Sequence, residues 1–313
     1  MKIDKNSIKS SNKVNKTITI RPLTVKEAGF FIEIMNNYYD RKKNSEYFKW
    51  QYFSYPKSLY YGAFDKDKYL GGFGIQLQKL KYHDRKITIG KGLDIIIHPN
   101  FQKKGIGTLL TFAFEKWAKK NNADALIVLS NNNGRKFLSK KNYQNHMINQ
   151  MEKKLKNNIN KVNLQQFHSK IRQNKLFYFI KDKKWYTWRF IQNPEYKYRQ
   201  IDLSNKLKVY VKLFKDPKTQ ESFGDIVDVG HAKNISLLKK AYVEAENYFK
   251  EKSVLSVTTW AFSNTRNYEI LRRMGYVEMA KQRFLCVKVL NHEYNKLYNF
   301  GLWNLMQSDS EVY

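Results

Sequence analysis

The stretch Ile97-His98-Pro99-Asn100-Phe101-Gln102-Lys103-Lys104-Gly105-Ile106-Gly107-Thr108-Leu109-Leu110 holds the residues best suited to chemistry. The apolar run ending at Ile97 reads as a buried strand, and the positions from Leu109 onward as a helix. Between them, two glycines let the backbone approach a ligand closely. Because the helix begins there, unpaired N–H groups and the positive end of its dipole converge on one point. That is an anion site, worth about 0.3–1 kcal/mol from the dipole alone and more with Lys103 and Lys104 beside it. The spacing differs from a Walker loop, which ends Gly-Lys-Ser/Thr, and from the three-glycine dinucleotide fingerprint. Just upstream, Asp94 is the lone charge in Leu93-Asp94-Ile95-Ile96-Ile97. A carboxylate there can be a structural group satisfied by backbone or a lysine.

These residues need a strand–loop–helix frame, and the flanking sequence supplies one. Ile18 to Leu23 alternates like a strand, and Thr24 with Glu27 is a capping-box pattern opening a helix to about Met35. A second helix, Ser45 to Ser54, carries Tyr47, Phe48, Trp50 and Phe53 and is closed by Pro56. Leu59 to Phe64 and Tyr69 to Leu80 read as strands joined at a charged turn, followed by a strand from Ile87 to Ile97. Leu109, Leu110, Ala113, Phe114, Trp117 and Ala118 put one apolar face on a helix from Gly105 to Asn121. Ala123 to Leu129 has the continuous apolar character of a buried parallel strand. A short helix near Arg135 to Lys141 and a strand from Tyr143 complete this unit, an α/β fold with a mixed sheet.

A second, similar succession follows. Trp50 with Pro56 recurs as Trp188 with Pro194, and the helix face as Leu237, Leu238, Ala241, Tyr242 and Ala245. Val254 to Val257 repeats the strand, and Asn267 to Met274 the closing helix. The expected division is a flexible basic tail over 1–16, a first domain over 17–151, a Lys- and Asn-rich linker over 152–165 and a second domain over 166–313. The alternative is two unrelated α/β units with similar periods.

The strand ending Ile97-His98-Pro99, followed by Gln102, Gly105 and Gly107, resembles the GNAT superfamily of N-acetyltransferases, whose signature is Q/R-x-x-G-x-G/A. The resemblance runs from near Ile18 to Tyr143 and implies two tandem GNAT-like domains, the second degenerate. It implies acetyl-CoA as co-substrate, its pyrophosphate on the loop Gln102, Lys103, Lys104, Gly105, Ile106, Gly107 and Thr108, and its pantetheine arm along Ile95, Ile96 and Ile97. An amine-bearing acceptor attacks the thioester directly, with Asp94 or a water chain as base. The helical position where relatives carry an acidic Tyr is Leu138 here. Tyr143, in Asn142-Tyr143 where relatives have Gly-Phe, is the substitute candidate, with packing as its other reading. Asn131, which in relatives can contact the cofactor, lies in an Asn131-Asn132-Asn133 run that also fits a polar turn. In the second copy, Gly230-His231-Ala232-Lys233-Asn234-Ile235 replaces the signature, while Asp225 and Asp228 persist.

Composition bounds the alternatives. The chain has 313 residues and a formal charge of +31, built from 47 Lys but only 11 Arg. With 30 Asn beside them, the lysines read as background rather than as a nucleic-acid stripe. A non-catalytic nucleic-acid binder on this scaffold is one rival. An aminoacyl-tRNA-dependent transferase is another, disfavoured because no segment longer than about 152–175 could hold the helical hairpin such relatives insert. The single cysteine, Cys286, excludes an internal disulfide and reads as a buried strand position in a cytoplasmic protein. The six histidines are scattered, so no metal site is expected, and no apolar run approaches the ~18 residues of a membrane span.

Overall fold

The computed structural model describes residues 18–38, 42–55, 57–155, 176–204, 207–230, 234–263, 265–280 and 282–310. They form two compact units: residues up to Gln78 with Thr88–Val128, and Lys79–Ile87 with Leu129 onward. The proposed tail over 1–16, Pro56, residues 156–165 of the proposed linker and His231 to Lys233 lie outside the described residues.

In the first unit, strand β1 (Ile18–Pro22) leads into a capping box. Glu27 accepts from the Thr24 amide and hydroxyl, both at 2.9 Å. The Arg21 guanidinium, 2.6 Å away, and these bonds hold the Glu27 carboxyl at about 2. After one 3-10 turn, α1 (Ala28–Tyr38) runs past the expected Met35, burying Phe31, Ile34 and Met35 at helical spacing. Asn44 caps α2 (Ser45–Phe53) by accepting from the Tyr47 amide at 2.9 Å. Strand β2 (Ser58–Asp65) pairs antiparallel with β1 and with β3 (Lys68–Tyr82). Next in the sheet comes β4 (Arg85–Ile97), then β5 (Ala125–Ser130). Between them α3 (Ile106–Lys120) buries Leu110, Ala113, Phe114 and Ala118. The β4–β5 pairing is parallel, as the apolar run predicts. It ends at Gly92↔Val128, while β4 runs on to Ile97.

The second unit contains α4 (Asn132–Ser139), β6 (Gln144–Lys154) and the short β7 (Tyr178–Phe179), which pairs with Leu80 and Lys81. The helix α5 (Lys183–Tyr186) passes into a π-turn over Thr187–Ile191. Then come β8 (Tyr198–Ser204), β9 (Leu207–Lys215), β10 (Ser222–Asp228), α6 (Ile235–Glu251), β11 (Ser256–Ala261), α7 (Arg266–Arg273), β12 (Val277–Glu278) and β13 (Arg283–Val289). Val209, Val211, Ile226, Tyr242, Phe249, Val257 and Leu271 form its core. Strands β10 and β11 are parallel; the β10–β9 and β9–β8 pairs are antiparallel. Antiparallel strands, a helix and a parallel strand therefore follow one another in both units. Cys286 is buried in β13, where burial pushes its thiol up to about 12.

The units divide differently from the sequence-based boundary at 151. Strand β6 pairs with β11 and β13, so it joins the second unit although its residues follow the first in the chain. Residues 152–154 are strand rather than linker, with Glu152 opposite Thr258.

Candidate active site

The loop after β4 is shaped by local backbone rules. The His98 amide donates to the Leu70 carbonyl at 2.9 Å, and a 3-10 turn at Pro99–Phe101 reverses the chain. Gln102 donates through Nε2 to the Ile97 carbonyl at 3.2 Å, tying the loop to the strand end. Lys103 and Gly105 both take left-handed backbone, with φ +60° and +82°. Left-handed backbone favours glycine, and Gly105 supplies it. A Cβ added there would meet nothing within 4 Å, so the position opens outward. The Thr108 and Leu109 amides turn back onto the Gly105 carbonyl at 3.0 and 3.2 Å, starting α3. The amides of Ile106 and Gly107, in the first helical turn, have no acceptor within the helix by geometry. The Lys68 and Lys104 ammonium groups lie 4.8 and 5.2 Å from the centroid of the Phe101 ring, keeping positive charge beside the loop.

Asp94 occupies β4 with φ +44°, a strained conformation for a non-glycine residue. Its carboxylate is the meeting point of a tyrosine cluster. Tyr52 donates a short hydrogen bond to Oδ2, and Tyr47 donates to the same oxygen at 3.3 Å. The Tyr60 hydroxyl reaches the Asp94 carbonyl at 3.4 Å. Lys43, nearly buried, holds its ammonium 3.9 Å from the Tyr47 ring centroid. Burial pushes the Asp94 carboxyl above the ordinary aspartate range, against the Tyr52 and Tyr47 hydrogen bonds and the Lys43 and Lys91 charges. Burial and the Asp94 charge together drive the Tyr52 phenol far above its usual value. A carboxylate with raised proton affinity, on the strand leading into this loop, takes a proton more readily than an ordinary aspartate.

The first unit thus brings together Asp94, Ile95, Ile96, Ile97, Gln102, Lys103, Lys104, Gly105, Ile106, Gly107 and Thr108. Asn131 and Tyr143 belong to the second unit. Asn131 caps α4, its Oδ1 accepting from the Gly134 amide at 2.9 Å. Tyr143 is buried, with the Lys288 ammonium 5.5 Å from its ring centroid. Sequence reasoning treated Tyr47 as ordinary helix packing and passed over Lys43, Tyr52, Tyr60 and Lys91. The available signal was the glycine-rich β3, because glycine inside a strand marks close approach by a neighbour. A Cβ on Gly74 would meet the Tyr52 ring at 2.3 Å, and one on Gly72 the Tyr60 ring at 2.2 Å.

A mixed sheet with a glycine loop between its parallel strands is the fold of GNAT-like acyltransferases. Residues 29–142 match the family model "Acetyltransferase (GNAT) family", and this segment is a GNAT domain. Compared with curated proteins, the chain finds no match. Among solved structures, it is similar to a GCN5-related N-acetyltransferase from Anabaena variabilis ATCC 29413 (TM-score 0.63, 11% identity, 88% of this chain and 73% of that one). Saccharomyces cerevisiae N-myristoyltransferase with bound myristoyl-CoA matches with TM-score 0.58 and 8% identity over 92% of this chain and 83% of that one. A third is the GCN5-related glucosamine N-acetyltransferase region of a fungal multi-domain GH3 β-N-acetylglucosaminidase (TM-score 0.55, 13% identity, 88% of this chain). The chain spans only 38% of that protein's length. At these identities the structural likeness is one of fold.

Proposed function

We propose that the protein is an N-acetyltransferase that moves an acetyl group from acetyl-CoA to a primary amine within a ternary complex. The observation that carries this reading is the placement, in one unit, of the Gly105 loop and the tyrosine-bound Asp94 on the strand leading into it. The outward-opening Gly105 and the first-turn amides fit a pyrophosphate, with Lys103 and Lys104 adding charge. Beyond Gly92↔Val128, Ile95, Ile96 and Ile97 of β4 offer backbone groups to a pantetheine arm. In the reaction, the amine nitrogen attacks the thioester carbonyl while Asp94 takes a proton from it. The Ile96 amide stabilises the oxyanion, and collapse breaks the C–S bond to release CoA thiolate. We read the second unit as a degenerate copy of the same domain that binds no second CoA.

A thermal-shift titration with CoA and acetyl-CoA tests the reading. Wild type should be stabilised by about 2.7 kcal/mol at a hundredfold excess over Kd, and Gly105→Glu should lose the effect. Absence of stabilisation in wild type at millimolar ligand would overturn it. CoA release across a panel of amines then identifies the acceptor.

A further inference from the structure

Tyr52 is fully buried and enclosed by aromatic neighbours. Its ring meets Phe31 at 5.7 Å, Phe48 at 5.2 Å and Tyr60 at 4.8 Å between centroids, each at an angle of 60–77°. On the β3 side it lies against Gly74, where an added Cβ would sit 2.3 Å from Cε1 and 3.1 Å from the hydroxyl. Even alanine cannot stand there unless Tyr52 moves. Packed this way, the ring delivers its hydroxyl to Asp94 Oδ2. Asp94 itself takes a backbone conformation that disfavours it, at φ +44°, so contacts elsewhere must hold it.

We propose that Tyr52, seated on Gly74, is a positioning residue that orients the Asp94 carboxylate and sets how readily it takes a proton. The inference rests on the reading of Asp94 as the base. The titratable groups facing Asp94 are Tyr47 and Tyr52 from α2, Tyr60 from β2, Lys43 from the segment before α2 and Lys91 from β4 itself. Tyr69 of β3 is linked to the cluster through Tyr60. Of the two phenols on Oδ2, Tyr52 makes the shorter bond and Tyr47 the longer, at 3.3 Å. A phenol donating to a carboxylate favours its charged form, so its removal leaves burial less opposed and raises proton affinity.

The test is a 13C NMR titration of the Asp94 carboxyl in the full chain, assigned with Asp94→Asn. In Tyr52→Phe the midpoint should rise by about one pH unit, a tenfold gain in proton affinity. Gly74→Ala should produce a similar rise, Tyr47→Phe a smaller one, and the double variant Tyr52→Phe/Gly74→Ala no more than Tyr52→Phe alone. The acid limb of kcat/KM should move upward with the midpoint, while stabilisation by CoA stays at the wild-type value. An unchanged midpoint in Tyr52→Phe overturns the proposal, and this near-isosteric variant decides the matter if Gly74→Ala fails to fold. The titration needs no turnover. A wild type without CoA binding or acetyl transfer would therefore refute the acetyltransferase reading separately from Tyr52.

Discussion

The two units contain the same fork between parallel strands and use it in opposite ways. In the first, β4 and β5 part after Gly92↔Val128, and the freed end of β4 carries Asp94 toward the Gly105 loop. In the second, β10 and β11 part after Asp225↔Thr258, and residues 306–310 bind there. Gln307 donates to Thr258 Oγ1 at 3.2 Å, Ser308 donates to Asp228 at 2.5 Å, and the Arg189 guanidinium donates to the Ser308 and Ser310 carbonyls. The buried Lys181 ammonium lies 2.7 Å from Asp228 and 2.9 Å from Asp309. Burial alone would lower Lys181, but Asp228 and Asp309 outweigh it and hold it above the lysine range. Burial alone would likewise raise Asp228, but Lys181, Ser308 and the Gly230 amide bring it below the aspartate range. Asp94, surrounded mainly by phenols, moves the other way. What separates the two carboxylates here is the charge of the nearest partner, a buried ammonium for Asp228 and phenols for Asp94.

The largest expected contrast comes from neutralising the two aspartates separately. Asp94→Asn should lower kcat/KM by about 10²–10⁴ while leaving CoA binding intact. Asp228→Asn should leave turnover much closer to wild type, and equal losses in both variants would break the contrast. Next, Lys181→Met leaves two buried carboxylates without their cation and should cost about 3–5 kcal/mol. Hydrogen exchange in β10 and β11 should report this loss, with β4 and β5 unaffected.

The pH dependences should also oppose one another. The depressed Asp228 supplies stability that is present above the ordinary aspartate value and is lost as pH falls through its folded value. The raised Asp94 supplies stability that is present below the ordinary value and is lost as pH rises through its folded value. Asp94→Asn should therefore melt higher than wild type at pH 7, with the gain shrinking in acid. A gain that persists unchanged at low pH would contradict the burial argument. The smallest effect concerns Asn131→Ala, which removes a helix cap worth about 1 kcal/mol. Stability should fall by that amount, and a loss of CoA affinity beside it would favour the cofactor contact that resemblance assigns to Asn131 over a cap alone.

What was legible in the sequence is what local rules decide. The Gly105 turn, the Thr24–Glu27 box and the α3 face depend on neighbours within a few positions, and each stands where the pattern places it. Asp94 was visible as a charge in an apolar run, but its chemistry depends on Tyr47 and Tyr52, more than forty positions upstream. The partners of β6 are illegible for a related reason, since nothing within Gln144–Lys154 states that β11 and β13 will flank it. Asp225 and Asp228 were noticed, yet their cations Lys212 and Lys181 come from other elements.

The segment from Trp303 to Ser310 has a consequence for synthesis. The Trp303 indole donates to the Leu297 carbonyl at 2.8 Å, and Gln307, Ser308, Asp309 and Ser310 are almost wholly enclosed. A ribosome delivers these residues after every strand they brace. The first unit has its loop and Asp94 in hand once residue 128 has emerged, whereas the second holds Lys181 and Asp228 without Asp309 until the segment arrives. A nascent chain halted before residue 303 would hold Lys181 and Asp228 without Asp309, leaving the buried lysine short of one of its two carboxylates.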